Sequence, residues 1–198
     1  MLKIGITGGI GSGKSLVCRL FGLLGIPTYD ADTRAKWLMA HHPDLRQDLT
    51  SAFGEETFTA AGALNRAYLA GLVFNDQERL AQINRLVHPR VGEDFAAWAE
   101  TKRHLPYVIK EAALLFEAGS SRDLDQVITV SAPQELRISR TLLRDPHRTR
   151  ADIEAIIQKQ LSEAERQAKA HHILYNDDQQ LVIPQVLALD GIFKEMNG

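Results

Sequence analysis

The sequence of 198 residues predicts an α/β fold in which about five parallel strands are flanked by helices and interrupted by a helical insertion. Three observations predict it. Short β-rich apolar runs alternate with stretches whose apolar residues recur at helical spacing. Between the first run and the first helix lies the octapeptide G-G-I-G-S-G-K-S at positions 8–15. Residues 43–104 carry helical spacing alone.

The elements follow in order. Residues 2–7 form an apolar run suited to a buried parallel strand. From Ser15 the apolar positions Leu16, Val17, Leu20, Phe21, Leu23 and Leu24 predict a helix over 15–24. Gly25, Ile26, Pro27, Thr28 and Tyr29 predict a turn and a short second strand, ending at Asp30-Ala31-Asp32. A helix follows from Thr33 with Leu38 and Met39 on its buried face.

The insertion at 43–104 shows helical sets at Leu45/Leu49/Phe53, Leu64/Tyr68/Leu69/Leu72 and Leu80/Ile83/Leu86/Val87. Pro89 is placed in the first turn of a further helix through Val91, Phe95 and Trp98. Strands resume at 107–109 and 127–130. A helix over 133–143 has Leu136, Thr141 and Leu143 as inward candidates. Asp145-Pro146-His147-Arg148 breaks it, and a helix restarts over 151–161, which makes 144–152 a candidate lid. A last strand at 173–175 leads into a helix carrying Val182, Val186, Leu189 and Phe193. The core therefore comprises 1–42 and 105–198 of a single domain.

Composition narrows the function. With 44% hydrophobic residues the chain can bury one good core. A net charge of −2 argues against general nucleic-acid binding. Apolar runs are too short to span a bilayer, so no membrane partner is expected. Cys18 is the sole cysteine, which excludes an internal disulfide and points to a reducing, cytoplasmic setting. A monomer is the expectation.

Positions 8–15 match G-x-x-x-x-G-K-[ST] at every defined position. Wrapping a phosphate chain in backbone N–H groups requires that side chains be absent at Gly8, Gly9, Gly11 and Gly13, with Ile10 and Ser12 between them. Lys14 can then reach the terminal phosphates, the Ser15 hydroxyl can ligate Mg²⁺, and Leu16 continues the helix whose N-terminus faces the anion. The loop is expected to bind a nucleoside triphosphate.

Arg137, Arg140 and Arg144, spaced three and four apart, share one helix face, where an anion would relieve their repulsion; a solvated basic face is the alternative. No base-reading N/T-K-x-D segment follows the late strand, which leads instead to Asn176-Asp177-Asp178, so a GTPase is disfavoured. A short chain with a helical insertion and a basic segment fits a kinase of a small hydroxyl acceptor. A nucleoside or nucleoside monophosphate kinase is the alternative.

The segments T-G-G-I-G-S-G-K-S at 7–15, D-A-D at 30–32, G-A-L-N-R at 62–66, His88-Pro89, L-L-F-E at 114–117, Arg140 with Arg144, Gln160 and Asn176 run in order across almost the whole chain. In them the chain resembles the dephospho-CoA kinase family, within the P-loop small-molecule kinases. The resemblance implies a P-loop kinase fold with nucleotide core, helical CoA-binding insertion and lid. It implies ATP-dependent phosphorylation of the ribose 3′-hydroxyl of dephospho-CoA, the last step of coenzyme A synthesis. It implies Asp32 as catalytic base, and Arg66, His88 and the 114–117 run, including Leu115, around the acceptor. Arg140, Arg144 and Asn176 would lie around ATP, with Lys14 and Arg140 acting in transfer.

The sequence departs from that pattern at four places. Leu16 stands where threonine often follows the loop serine, and Arg137 where glutamine is common. Glu111-Ala112-Ala113 replaces D-x-P before Leu114, and His171 replaces an aspartate, which leaves the roles of Glu111 and His171 open.

Overall fold

The computed structural model describes residues 1–73 and 76–197. Phe74 and Asn75, which fall within the predicted insertion, and Gly198 lie outside the described residues. The chain divides into two compact units, Met1–Asp30 with Ala99–Gly198, and Ala31–Trp98.

The first unit is built on a five-stranded parallel sheet in the order β2-β3-β1-β4-β5. Its strands are β1 (Leu2–Thr7), β2 (Thr28–Asp30), β3 (Tyr107–Glu111), β4 (Gln126–Ser131) and β5 (His172–Tyr175). β1 lies between β3 and β4, so the crevice where the chain's direction of winding reverses opens at its C-terminal end.

One face of the sheet is covered by helices α1 (Lys14–Leu23) and α9 (Val182–Asn197). Ile4, Ile6, Val17, Phe21, Tyr107, Ile109, Ile128, Val130 and Phe193 form the centre of that core. Full burial of each such side chain contributes about 1.5–3 kcal/mol. The opposite face packs Leu115 and Leu124 against Gly5, where a side chain on Gly5 would crowd both.

In this unit the sequence reading needs three adjustments. α1 buries only Val17, Cys18 and Phe21, while Leu23 remains 83% exposed. Helix α6 (Gln134–Arg144) turns Arg137, Ile138 and Thr141 inward and leaves the expected core residue Leu143 82% exposed. After α7 (Arg150–Gln158) comes a helix the apolar spacing does not reveal, α8 (Glu163–Lys169). Its Ser162-x-x-Glu165 capping box, with Ser162 Oγ accepting from Glu165 N at 3.2 Å, is the signal that marks its start.

The second unit is helical: α2 (Ala31–His41), α3 (Pro43–Phe53), α4 (Arg66–Val73) and most of α5 (Gln77–Glu100), with a 3₁₀ turn at Glu55–Thr57. Two expectations change here. Asp32 does not end β2, which stops at Asp30. It lies in the first turn of α2, where a carboxylate complements the helix N-terminus. Pro89 does not open a helix but lies inside α5. An interior proline forfeits a backbone hydrogen bond and costs about 3 kcal/mol. The continuous stripe Val87, Val91, Phe95, each no more than 7% exposed, offsets that cost by holding one face of α5 in the core on both sides of it.

Candidate active site

The phosphate loop joins β1 to α1 at the sheet's switch point. Gly11 and Gly13 adopt φ of 74° and 96°, left-handed values that side chains resist. They are also hemmed in. A Cβ on Gly11 would collide with the Arg137 carbonyl oxygen, and one on Gly13 with the Asn176 side chain. Lys14 Nζ donates to the carbonyl oxygens of Gly8 at 3.0 Å and Gly9 at 3.5 Å, so its ammonium is held across the mouth of the loop. Ile10 N–H is fixed by Gln160 Oε1 at 3.0 Å. Gln160 is itself placed by the neighbouring Leu161 N–H, which donates to Glu117 Oε1 at 2.9 Å.

Ser15 Oγ donates to Glu111 Oε1 at 2.9 Å. Glu111 ends β3, and its register partner on β2 is Asp30. A hydroxyl with carboxylates at two adjacent strand ends is an oxygen-rich set that suits a hard cation such as Mg²⁺. Among the described residues no group of three or more His, Cys, Asp or Glu is arranged to hold a metal alone, so such a cation would need phosphate oxygens as well. Cys18 lies beneath this corner, and burial, then Glu111, raises its thiol pKa, which makes it unreactive.

On the other side of the loop, Arg140 Nη1 donates to the Asn176 carbonyl at 2.8 Å and Nη2 pairs with Asp178 Oδ1 at 2.5 Å. Asn176 Nδ2 donates to Ser12 O at 2.8 Å, and its own N–H to Ser131 O at 2.8 Å. Arg140 and Asn176 thus clamp the segment after β5 onto the loop. Arg144 is 64% exposed and pairs with Asp145 at 2.8 Å, outside that clamp. Leu115 has no exposed surface and packs beside Gly5, whereas Leu114 is 45% exposed. His171 Nδ1 accepts from Val127 N–H at 3.0 Å, a bond that joins the start of β5 to β4.

Two basic residues lie beside the loop, of which spacing singles out Arg137 but not Arg166. The Arg137 and Arg166 guanidinium groups converge on Gly9, where a Cβ would collide with Arg137 Nη1 and lie 3.1 Å from Arg166 Nη2. Arg137 was expected on a phosphate-facing surface with Arg140 and Arg144, but it is 4% exposed. Arg166 is 2% exposed and enters from α8. The capping box that locates α8 is the sequence signal for Arg166.

Within the second unit, Asp32 is exposed on the first turn of α2, and Arg66 is exposed at the start of α4. Arg66 lines a depression of about 430 Å³ with His41 and the 61–64 turn. Arg46 braces that turn by donating to Gly62 O at 3.0 Å and stacking over Phe58. His88 is half-buried in α5.

Comparison with known proteins bears on what these elements do. A family profile described as dephospho-CoA kinase matches residues 2–181. The Bacteroides fragilis dephospho-CoA kinase is 39% identical over 95% of this chain and 91% of its own. That of Porphyromonas gingivalis is 39% identical over 96% and 93%. A crystal structure from Thermus thermophilus superposes with a TM-score of 0.82 at 33% identity, covering 100% of this chain and 98% of that one. The Campylobacter jejuni dephospho-CoA kinase, 21% identical, shares the fold with a TM-score of 0.72 over 99% and 98% of the chains. Both the profile and the relatives cover the loop, the helical unit and the segment after β5, so the chain belongs to the dephospho-CoA kinase family, whose members phosphorylate dephospho-CoA to coenzyme A.

Proposed function

We propose that ATP is bound at the 8–15 loop with Mg²⁺ at Ser15, and that the groups of this chain divide between the two substrates as follows. The observation that carries the reading is the Ser15–Glu111 pair at 2.9 Å beside a loop closed by Lys14. A phosphate loop whose hydroxyl already faces a carboxylate is arranged for a metal-bound triphosphate. The cation, when bound, supplies neutralisation of phosphate charge. Lys14 would leave the Gly8 and Gly9 carbonyls for the β- and γ-phosphates. Loop N–H groups would hold the inner phosphates, and Arg140 with Asn176 would fix the nucleotide side of the loop.

Dephospho-CoA would be taken by the helical region 43–104 through Arg66 and His88, and the segment 144–152 would act as lid. Asp32 would orient the ribose 3′-hydroxyl and accept its proton as the new bond to phosphorus forms. The net charge of −2 supports a small-molecule rather than nucleic-acid partner. We take the protein to act as a monomer, and a cytoplasmic setting accords with the single buried thiol. No helix of the described residues is long and apolar enough to cross a membrane.

The test is ATP turnover with dephospho-CoA beside adenosine, AMP and pantetheine derivatives. Turnover is expected with dephospho-CoA alone. Preferred phosphorylation of adenosine or AMP would return the assignment to a nucleoside or nucleoside monophosphate kinase.

A further inference from the structure

Arg137 and Arg166 are both almost fully buried, yet their hydrogen-bonding capacity is not used up. Arg137 Nε and Nη1 and Arg166 Nε have no hydrogen-bond partner. Arg166 Nη2 pairs with Glu163 Oε2 at 2.6 Å, and its Nη1 donates to the Leu161 carbonyl. Glu163 attracts Arg137, and Arg166 repels it. Glu165 also acts on Arg166, so what is left over is donors, Arg137 Nε and Nη1 and Arg166 Nε, in a region shielded from water. Burial accordingly lowers the Arg137 pKa from its ordinary value. A buried guanidinium with idle donors is strongly destabilising unless an anion completes it.

The position indicates which anion. Both guanidinium groups press on Gly9, and Gly9 O is also one of the two carbonyls that hold Lys14 Nζ. A phosphate-loop lysine reaches the β- and γ-phosphates, whereas loop amides cradle the inner ones. Gly9 therefore marks the terminal-phosphate end of the loop. A cavity of about 680 Å³ is lined by Arg137, Gln160, Glu163 and Arg166.

We propose that Arg137 and Arg166 form a guanidinium subsite for the γ-phosphoryl oxygens of the bound nucleotide, behind Gly9 and distinct from the Arg140–Asn176 clamp. The proposal rests on the reading that residues 8–15 hold ATP. Planar guanidinium groups can present several donors to the oxygens of a phosphoryl group, a geometry lysine cannot reproduce. It also explains Gly9: any side chain there would displace Arg137.

The test is calorimetric titration of the full chain with ATP and with ADP, in the wild type and in Arg137→Gln, which keeps hydrogen bonding but removes the charge. The Kd for ATP is expected to rise about 10-fold or more, the range for a lost charge-assisted hydrogen bond, while that for ADP shifts less than about 3-fold. Arg137→Lys should fall short of restoring ATP affinity. Equal weakening of ATP and ADP, or undiminished ATP affinity in the folded variant, would overturn the proposal. If Arg137→Gln does not fold, Arg166→Gln is titrated in the same way, and failure of both to fold identifies the pair as structural and also overturns it. Lys14→Ala separates the underlying reading: wild-type affinity for both nucleotides in that variant means that the loop itself has been misassigned, whatever Arg137 does.

Discussion

The two units place their functional groups by opposite means. In the sheet unit, the groups around the loop are locked by main-chain geometry and long-range bonds. Asn176 reaches Ser12 across 164 positions of sequence, Gln160 reaches Ile10 across 150, and Glu111 meets Ser15 across 96. In the helical unit, Asp32 and Arg66 stand exposed at the first turns of α2 and α4. A phosphate chain is the same in every turnover and rewards a rigid cradle, because preorganised dipoles need no rearrangement as charge develops. Exposed groups at helix starts give fewer fixed contacts and a more adaptable surface. The comparison predicts that substitutions in the sheet unit cost more turnover, and that those in the helical unit fall on the acceptor.

The largest effect should come from Lys14→Ala. Lys14 supplies positive charge at the loop mouth, and losing a cation from a phosphoryl-transfer site costs on the order of 10³–10⁵-fold in kcat. Lys14 donates to the Gly8 and Gly9 carbonyls within the loop rather than into the core, so the fold should survive, as judged by circular dichroism and an unchanged melting temperature. Turnover near the wild-type rate would show that the rigid cradle is not the catalytic half of the molecule.

Next in size is Asp32→Asn, which keeps shape but removes the basic oxygen. The expected loss in kcat is about 10²–10⁴-fold, with ATP affinity retained. Asp30→Asn is the informative partner. Asp30 ends β2 in register with Glu111, so it belongs to the sheet unit and to the cation corner. Its loss should change the Mg²⁺ dependence of the reaction. If Asp30→Asn abolishes turnover at saturating Mg²⁺ while Asp32→Asn is normal, the base lies in the sheet unit and the contrast between units fails.

How much of this was legible in the sequence follows the same division. β1 was read to the residue and the other strands to within a few, because buried parallel strands are runs of apolar residues that few other structures use. The loop was legible because its glycines answer to backbone requirements that are local. The burial of Arg137 was not legible because helical spacing gives a shared face but not what covers it. The face that carries Arg137 also carries Ile138 and Thr141, both buried, while Leu143 points to solvent. Glu111 could not be assigned because its meaning depends on β3 lying beside β1, a pairing across about a hundred residues. Asp32 was displaced from strand end to helix start by two residues, the range over which boundary signals blur.

The smallest predicted effect concerns Pro89, and it tests why the helical unit tolerates an irregular element. α5 runs for 24 residues through a proline whose missing N–H costs one helical hydrogen bond. Alanine there would restore the donor and remove the ring's clash, against a loss of up to about 1 kcal/mol from a freer unfolded chain. Pro89→Ala should therefore stabilise the protein by about 1–2 kcal/mol, read as a melting temperature raised by a few degrees. Restoring the hydrogen bond at that point is expected to shift the adjoining His88, which is half-buried in α5. If His88 serves the acceptor, the more stable variant should show a KM for dephospho-CoA raised about 3- to 10-fold, as when a ligand loses one modest contact, with the KM for ATP unchanged. Greater stability with both constants unchanged would show that the proline is carried without use and that His88 is only a packed helix residue. A raised KM for ATP instead would mean that α5 supports the rigid half, and the division drawn between the units would have to be redrawn.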